Sequence, residues 1–208
     1  MATEEIKQYY DATANSETRS DLLHAADLVE NSKIAIDCGC GAGADIEYLL
    51  SKGFFVHGFD VEKESIARCK KRFNNNANVA LSQDTFSSFT YPKASLVLAD
   101  ASLFFCEESG FNSVWDKIYE SLEPSGIFCG SFLGPRDTTA APNYNSNAYW
   151  SDTSVFTEDE VKKLFTRYQI LRFTEHESSG NTPDGKPHHW HIFSVVAKKS
   201  NKILQRKL

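Results

Sequence analysis

Apolar residues recur along the chain in two rhythms. Short β-branched and aromatic runs at about 33–37, 54–60, 78–82, 94–99 and 127–133 read as strands. Between them, apolar residues return every third or fourth position. This predicts helices at about 43–52, closed by Gly53, at 62–73, ended by Asn74-Asn75-Asn76, and at 111–122, where Val114, Trp115, Ile118 and Leu122 fall in step. Residues 3–30 carry two further helical stretches, the second (Asp21 to Glu30) with Leu22, Ala25, Ala26 and Val29 on one face. Pro124-Ser125-Gly126 turns the chain into the fifth strand. Thr157 with Glu160 forms a capping box for a helix through Phe165. Two last strands, at about 168–177 and Trp190 to Lys198, are joined by a turn containing Gly180, Pro183-Asp184-Gly185 and Pro187, the mark of an antiparallel hairpin. The β-α alternation before the hairpin predicts a parallel sheet with helices on both faces.

Composition narrows the class without changing this picture. A chain of 208 residues suits one domain with a full central sheet, and 41% apolar with 24% charged residues is ordinary for a globular protein. The net charge of −6 disfavours a nucleic-acid backbone as partner. Apolar runs are of strand length, too short for a membrane span, and Met-Ala-Thr-Glu-Glu is not a signal peptide. Five cysteines, an odd number, set mostly in apolar runs, are expected to be reduced thiols in a cytoplasmic protein. Cys38-Gly39-Cys40 lacks zinc-knuckle spacing and has no second pair. The stretch 134–155 reads as a loop long enough to need a task, and a substrate loop is expected there. The lysines from Lys198 to Lys207 read as a solvated tail.

The chemistry concentrates at Ile34-Ala-Ile-Asp37-Cys-Gly39-Cys-Gly41-Ala-Gly43: a strand, a glycine turn and a helix start. Such a turn lets backbone approach a nucleotide-like ligand closely. A second acid, Asp60, ends the next strand. One reading is a dinucleotide fold, since Gly39-x-Gly41-x-x-Ala44 fits that pattern and Asp60 stands at a suitable distance for a ribose. The other rests on ordered motifs. Ile36 to Gly43, Gly58-Phe59-Asp60-Val61, Gln83-Asp84-Thr85-Phe86, Leu96 to Asp100 and Leu122-Glu123-Pro124-Ser125-Gly126-Ile127-Phe128 resemble, in sequence, the motifs of the class I S-adenosylmethionine-dependent methyltransferases. The terminal hairpin also suits that family and not the dinucleotide fold.

That resemblance implies a Rossmann-like, doubly wound seven-stranded sheet, mostly parallel with a C-terminal antiparallel hairpin. It implies one domain over 1–208, with residues 1–30 as a helical lid. S-adenosylmethionine is the implied cofactor, and a small molecule the implied acceptor; a protein or RNA acceptor, or a non-catalytic binding module, are the alternatives. The implied cofactor residues are Asp37 toward the ammonium, Gly39, Cys40 and Gly41 beneath the ribose and methionine portion, Asp60 on the ribose diol, Val61 on adenine, Asp84 with the Thr85 N–H at the adenine edge, and Ala99. Gly126 to Asp137 is similar to the corresponding segment of tellurite-resistance-type small-molecule methyltransferases.

Methyl transfer from a sulfonium mainly needs alignment and exclusion of water, and a base only for acceptors that hold a proton. No triad is therefore required, and the catalytic candidates are Asp100, Tyr10 and His189. Asp100 either lines the methyl site or caps the next helix. Its context, Asp100-Ala-Ser-Leu-Phe-Phe, departs from the Asn-Pro-Pro-aromatic motif of nucleic-acid amino methylation. Tyr9 and Tyr10, expected just before an N-terminal helix, either shelter a cation or pack on the core. Phe104 and Phe105 either wall the pocket or join the core. Arg136 either holds an anionic substrate or pairs with Asp137. Trp150 is expected to cover the acceptor pocket. His189 and His191 share a strand face, where a structural role, a base and a metal site all compete; no metal is expected.

Overall fold

A computed structural model describes residues 3–30, 32–140, 153–182 and 185–200. Trp150, most of the expected substrate loop, Pro183 and Asp184 lie outside the described residues. The strands are β1 (Ile34–Cys38), β2 (Phe55–Asp60), β3 (Val79–Gln83), β4 (Ala94–Ala99), β5 (Leu122–Leu133), β6 (Tyr168–Asn181) and β7 (Pro187–Lys199). They form one sheet in the order β3-β2-β1-β4-β5-β7-β6. β1 to β5 run parallel, while β7 is antiparallel to both β5 and β6. This is the seven-stranded doubly wound architecture that the sequence predicts. The chain winds outward from β1 toward β3 and then from β4 toward β6, so the winding reverses between β1 and β4. Ligands of such sheets bind beyond the carboxyl ends of the strands at this reversal.

Each helix has a local reason. α1 (Glu4–Thr13) starts where the Thr3 side chain accepts from Ile6 N–H. α2 (Ser20–Asp27) buries Leu22, Ala25 and Ala26, the face its periodicity predicts. α3 (Ala44–Ser51) follows Gly43 and closes at Gly53, whose φ of +81° suits a glycine C-cap. α4 (Lys63–Arg72) ends before Asn75, which takes a left-handed φ. α5 (Glu108–Ser121) precedes β5, and α6 (Glu158–Leu164) carries the expected capping box between Thr157 and Glu160.

Three boundaries differ from the sequence reading. The Pro124-Ser125-Gly126 turn lies inside β5 as a bulge: Ala94 pairs with Leu122 and Leu96 with Ile127, so the intervening residues are extruded, with Ser125 at φ +61°. The hairpin is longer than expected. β6 and β7 stay paired to Asn181 and Pro187, past the last β5 pair, so their tip projects beyond the carboxyl edge of the sheet. Lys198 and Lys199 belong to β7 and not to a tail, the Lys199 ammonium donating to the carbonyls of Tyr119 and Leu122.

Two apolar layers clamp the sheet. One face packs against α2, α3 and α4 through Leu22, Ile46, Leu49 and Ile66. The other packs against α5 and α6 around Trp115, whose ring meets Phe128, Phe132, Phe165 and Tyr168 and whose Nε1–H donates to Leu164 O at 3.1 Å. Trp115 is 4% exposed, so little of its area is wasted on solvent. Trp115→Ala is expected to cost about 3–5 kcal/mol of unfolding free energy in urea denaturation, the cost of a large core truncation. A loss of less than about 1 kcal/mol would show that this layer does not carry the sheet's stability.

Candidate functional site

The glycine turn is where the sequence bends most sharply. Gly39, Gly41 and Gly43 all take positive φ. At Gly39 a Cβ would come within 2.6 Å of the Ser102 Cβ, and at Gly43 within 2.7 Å of the Phe73 ring, so glycine is required at both for space as well as for backbone angle. The turn is fastened on every side. Gly39 N–H and Cys40 N–H donate to Phe59 O, and Gly41 N–H donates to Asp60 Oδ2 at 2.9 Å. From α4, Ser65 Oγ donates to Gly41 O at 2.6 Å, Cys69 Sγ reaches the same carbonyl, and Arg72 donates to Ala42 O. Asp60 also accepts from Glu62 N–H at 2.8 Å, so each of its oxygens takes one backbone donor, and the Ser65 side chain supplies a further hydrogen bond.

Around this turn the fold gathers carboxylates. Asp37 is 4% exposed, and its Oδ2 has no hydrogen-bond partner among the described residues. Burial, reinforced by Asp45, Cys69, Asp60 and Asp100, pushes the Asp37 carboxyl well above the usual range. Asp45, in the first turn of α3, is pushed up to about 6 by burial and by Asp100, with Arg19 opposing. Burial also raises Asp60, against the backbone N–H groups of Glu62 and Gly41 that favour its charged form. Asp100 does not cap a helix; it pairs with Arg19 at 2.6 Å. Arg19, Asp21, Asp45, Leu98, Asp100, Cys129, Gly130 and Ser194 line a cavity of about 10 Å³ between α2 and the sheet, near the volume of one water.

The adenine-side candidates are open. Val61 is 53% exposed and holds Gln83 through its carbonyl. Asp84 accepts from Ser88 Oγ at 2.9 Å, and the Thr85 N–H donates to that same hydroxyl, so both serve their turn here. Ala99 is fully buried at the end of β4.

Tyr9 and Tyr10 lie within α1 and not ahead of it, because Thr3 starts the helix earlier than expected. Tyr10 is 2% exposed and packs with Ile6, Ala14 and Ala42 over the glycine turn. α1 is tied down by Arg68 to Asp11 and by Arg72 to Ala14 O. Phe104 is buried, whereas its neighbour Phe105 is partly exposed.

Arg136 does not pair with Asp137. Its guanidinium reaches Glu175 at 2.6 Å and Glu177 at 2.9 Å on the projecting hairpin. Asp137 is instead buried, accepting from His191 N–H, Thr139 and the His188 ring. His191 is buried; its Nδ1 accepts from Arg136 N–H at 3.1 Å, which assigns the proton to Nε2, facing Glu175 at 2.8 Å. His189 meets Ser179 and Glu177. No group of three or more metal-ligating side chains forms among the described residues. The contacts of Arg136, Asp137 and His191 fasten the hairpin to the β5 exit.

Sequence reasoning missed Arg19, Asp45, Ser65, Cys69, Ser102 and Ser131. Only Asp45 had a local signal, an acid in the first turn after the glycines. Ser65, Cys69 and Ser102 reach the glycine turn, and Arg19 and Ser131 the β4 exit, through tertiary contacts 24 or more residues away along the chain.

Known proteins share parts of this sequence and its fold. Residues 35–126 match a family model described as a methyltransferase domain. A probable thiol methyltransferase 2 from Arabidopsis thaliana is 31% identical over 128 residues, 57% of this chain and 56% of that protein; the chain thus matches little more than half the length of this relative. TehB from Haemophilus influenzae superposes with a TM-score of 0.74 at 17% identity, covering 94% of this chain and 67% of that one. NodS, an N-methyltransferase from Bradyrhizobium japonicum crystallised with S-adenosylhomocysteine, gives a TM-score of 0.67 at 16% identity, covering 94% and 97%. The 1,6-didemethyltoxoflavin-N1-methyltransferase of Burkholderia thailandensis gives 0.61 at 17% identity, covering 95% and 86%.

The acid cluster makes a pH prediction. Asp45 has a raised folded pKa, so its contribution to stability is fully present below its ordinary value of 3.8 and is lost as pH rises through about 6. Between pH 4.5 and 7, wild type should lose more stability in urea than Asp45→Asn does. Superimposable pH profiles would remove Asp45 from the cluster.

Proposed function

We propose that this chain, a class I S-adenosylmethionine-dependent methyltransferase by its fold and ordered motifs, moves a methyl group from S-adenosylmethionine to a small-molecule acceptor. The observation that carries the reading is the buried, unpartnered Asp37 Oδ2 at the winding reversal, beside the glycine turn and Asp60. A buried acceptor without a donor is costly, and a ligand ammonium supplies three donors. The residues fit the donor: Asp37 for its ammonium, the turn backbone for the ribose and methionine portion, the Asp60 carboxylate for the diol, Val61 and Asp84 for the exposed adenine side. When bound, the donor brings a methyl group already activated by its sulfonium. The chain's own work is then to align and to exclude water: α1 with Tyr10 covers the turn, and Phe104 with Phe105 stands at the β4 exit.

The names of the relatives support a small acceptor, thiol or amine, and the net charge of −6 argues against nucleic acid. No helix of the described residues is long and apolar enough to cross a membrane. All five cysteines are free and buried, as suits a reducing cytoplasm.

Calorimetric titration with S-adenosylhomocysteine tests the reading. Wild type should bind, and Asp60→Ala should weaken binding by about 1.5–3 kcal/mol, roughly ten- to hundredfold. A folded wild type that shows no heat of binding sinks the donor assignment, and an unchanged Kd in the variant sinks the ribose role of Asp60. Turnover of radiolabelled donor on thiol and amine metabolites, against protein and RNA pools, then tests the acceptor class.

A further inference from the structure

The exit of β4 holds a conformation that its sequence alone would not choose. Ala101, directly after Asp100, takes φ +47°. Alanine is rarely left-handed, because its Cβ crowds the backbone; such residues persist only where their surroundings fix them. Here two serines do so from opposite sides. Ser131, on the neighbouring strand β5 and 0% exposed, accepts from Ala101 N–H through Oγ at 2.8 Å. Ser102 donates from Oγ to Cys38 O at 2.6 Å, which binds the far side of the turn to the end of β1. The Ser102 Cβ occupies the space that a side chain on Gly39 would need.

The consequence falls on Asp100. Its side chain is 17% exposed and meets Arg19, and its charge is felt by Asp37 and Asp45 across the winding reversal. A left-handed residue immediately after it sets the direction of the chain beyond, and so places Ser102 on Cys38 O and against Gly39. If Ala101 relaxed to an extended or right-handed conformation, Ser102 would leave that contact. The β4 exit that carries Asp100 would then come loose from the glycine turn.

We infer that Ser131 is a positioning residue for the donor site: its buried hydroxyl clamps Ala101 in the left-handed conformation and so holds the β4 exit, through Ser102, against the glycine turn. Ser131 touches no ligand in this assignment and acts through the turn. The assignment rests on the donor reading above. The same hydroxyl satisfies an N–H that the turn diverts from the sheet ladder.

The test is a double-mutant cycle read by calorimetric affinity for S-adenosylhomocysteine, with urea denaturation alongside to confirm folding. Ser131→Ala should weaken binding about three- to tenfold, the worth of one hydrogen bond. Ala101→Gly alone should bind within about twofold of wild type, because glycine adopts positive φ freely. Ser131→Ala combined with Ala101→Gly should recover most of the lost affinity, since the clamp is not needed where the conformation is free. A hydroxyl that merely fills space would lose the same affinity in both backgrounds, and that outcome overturns the inference. Equal binding by wild type and Ser131→Ala overturns it too, while leaving the donor reading intact. A folded wild type that fails to bind overturns the donor reading itself and this inference with it.

Discussion

The structure depends on keeping several carboxylates close together at one edge of a packed sheet. Burial raises the pKa of Asp37, and Asp45, Asp60 and Asp100 raise it further beside a turn of three glycines; burial and Asp100 raise that of Asp45, and Arg19 is the cation that meets Asp100. Burying like charges is expensive, and in isolation such groups would rather take up protons than stay ionised. The acids border the core: Asp37 lies between Ile36 and Cys38 of β1, and Asp45 and Asp100 share a small cavity with Leu22, Leu98 and Cys129. Backbone donors offset the cost at Asp60, which receives two N–H groups. They do not reach Asp37 Oδ2, and this asymmetry makes the site receptive to a ligand cation.

Rigidity of the turn follows from the same demand. A glycine loop is free to take many shapes, and that freedom is lost on folding. α4 removes it by presenting Ser65, Cys69 and Arg72 to successive carbonyls of the loop, while β2 holds it from the other side. The apolar residues of α4 face the sheet and its polar ones face the loop, so one helix serves packing and site geometry together. The β4 exit is fixed on the opposite bank by Ser102 and Ser131. Loop and exit thus meet across β1 and β4, where the winding reverses.

Much of this was legible in the sequence, and what was not has a physical reason. The strands, the glycine turn, Asp60 at the end of β2, Gly53 as a helix stop and the Thr157–Glu160 capping box are all written in residues near one another along the chain. Tyr9 and Tyr10 lie inside the first helix and not ahead of one; Ile6 and Tyr10 are its buried residues, and so sparse an apolar face gives little helical periodicity to read. The pairing of Arg136 with Asp137 failed because adjacent residues need not face each other, whereas the projecting hairpin brings Glu175 and Glu177 to the guanidinium from about forty residues away. Ser131 was invisible for the same reason. Its partner is an N–H on another strand, and a serine inside an apolar run carries no sign of which backbone group it will meet.

The N-terminal segment gives the site its remaining character. α1 covers the glycine turn with Tyr10, whose Cε1 lies 3.8 Å from the point where a Cβ on Gly41 would stand, and the turn between α1 and α2 brings Arg19 onto Asp100. Both contacts lie over residues that fit the donor. Any ligand reaching Gly41 must share that space with an aromatic ring, and any ligand cation reaching Asp100 must share it with a guanidinium. α1 is attached through the ion pair Arg68–Asp11, the Arg72 bond to Ala14 O and a small apolar cluster of Ile6, Tyr10 and Ala42, while α2 is packed into the core by Leu22, Ala25 and Ala26. The turn beneath α1 is fastened to β2 and α4. The proposed donor would therefore meet an edge held from below by the sheet and from above by a helix laid across it.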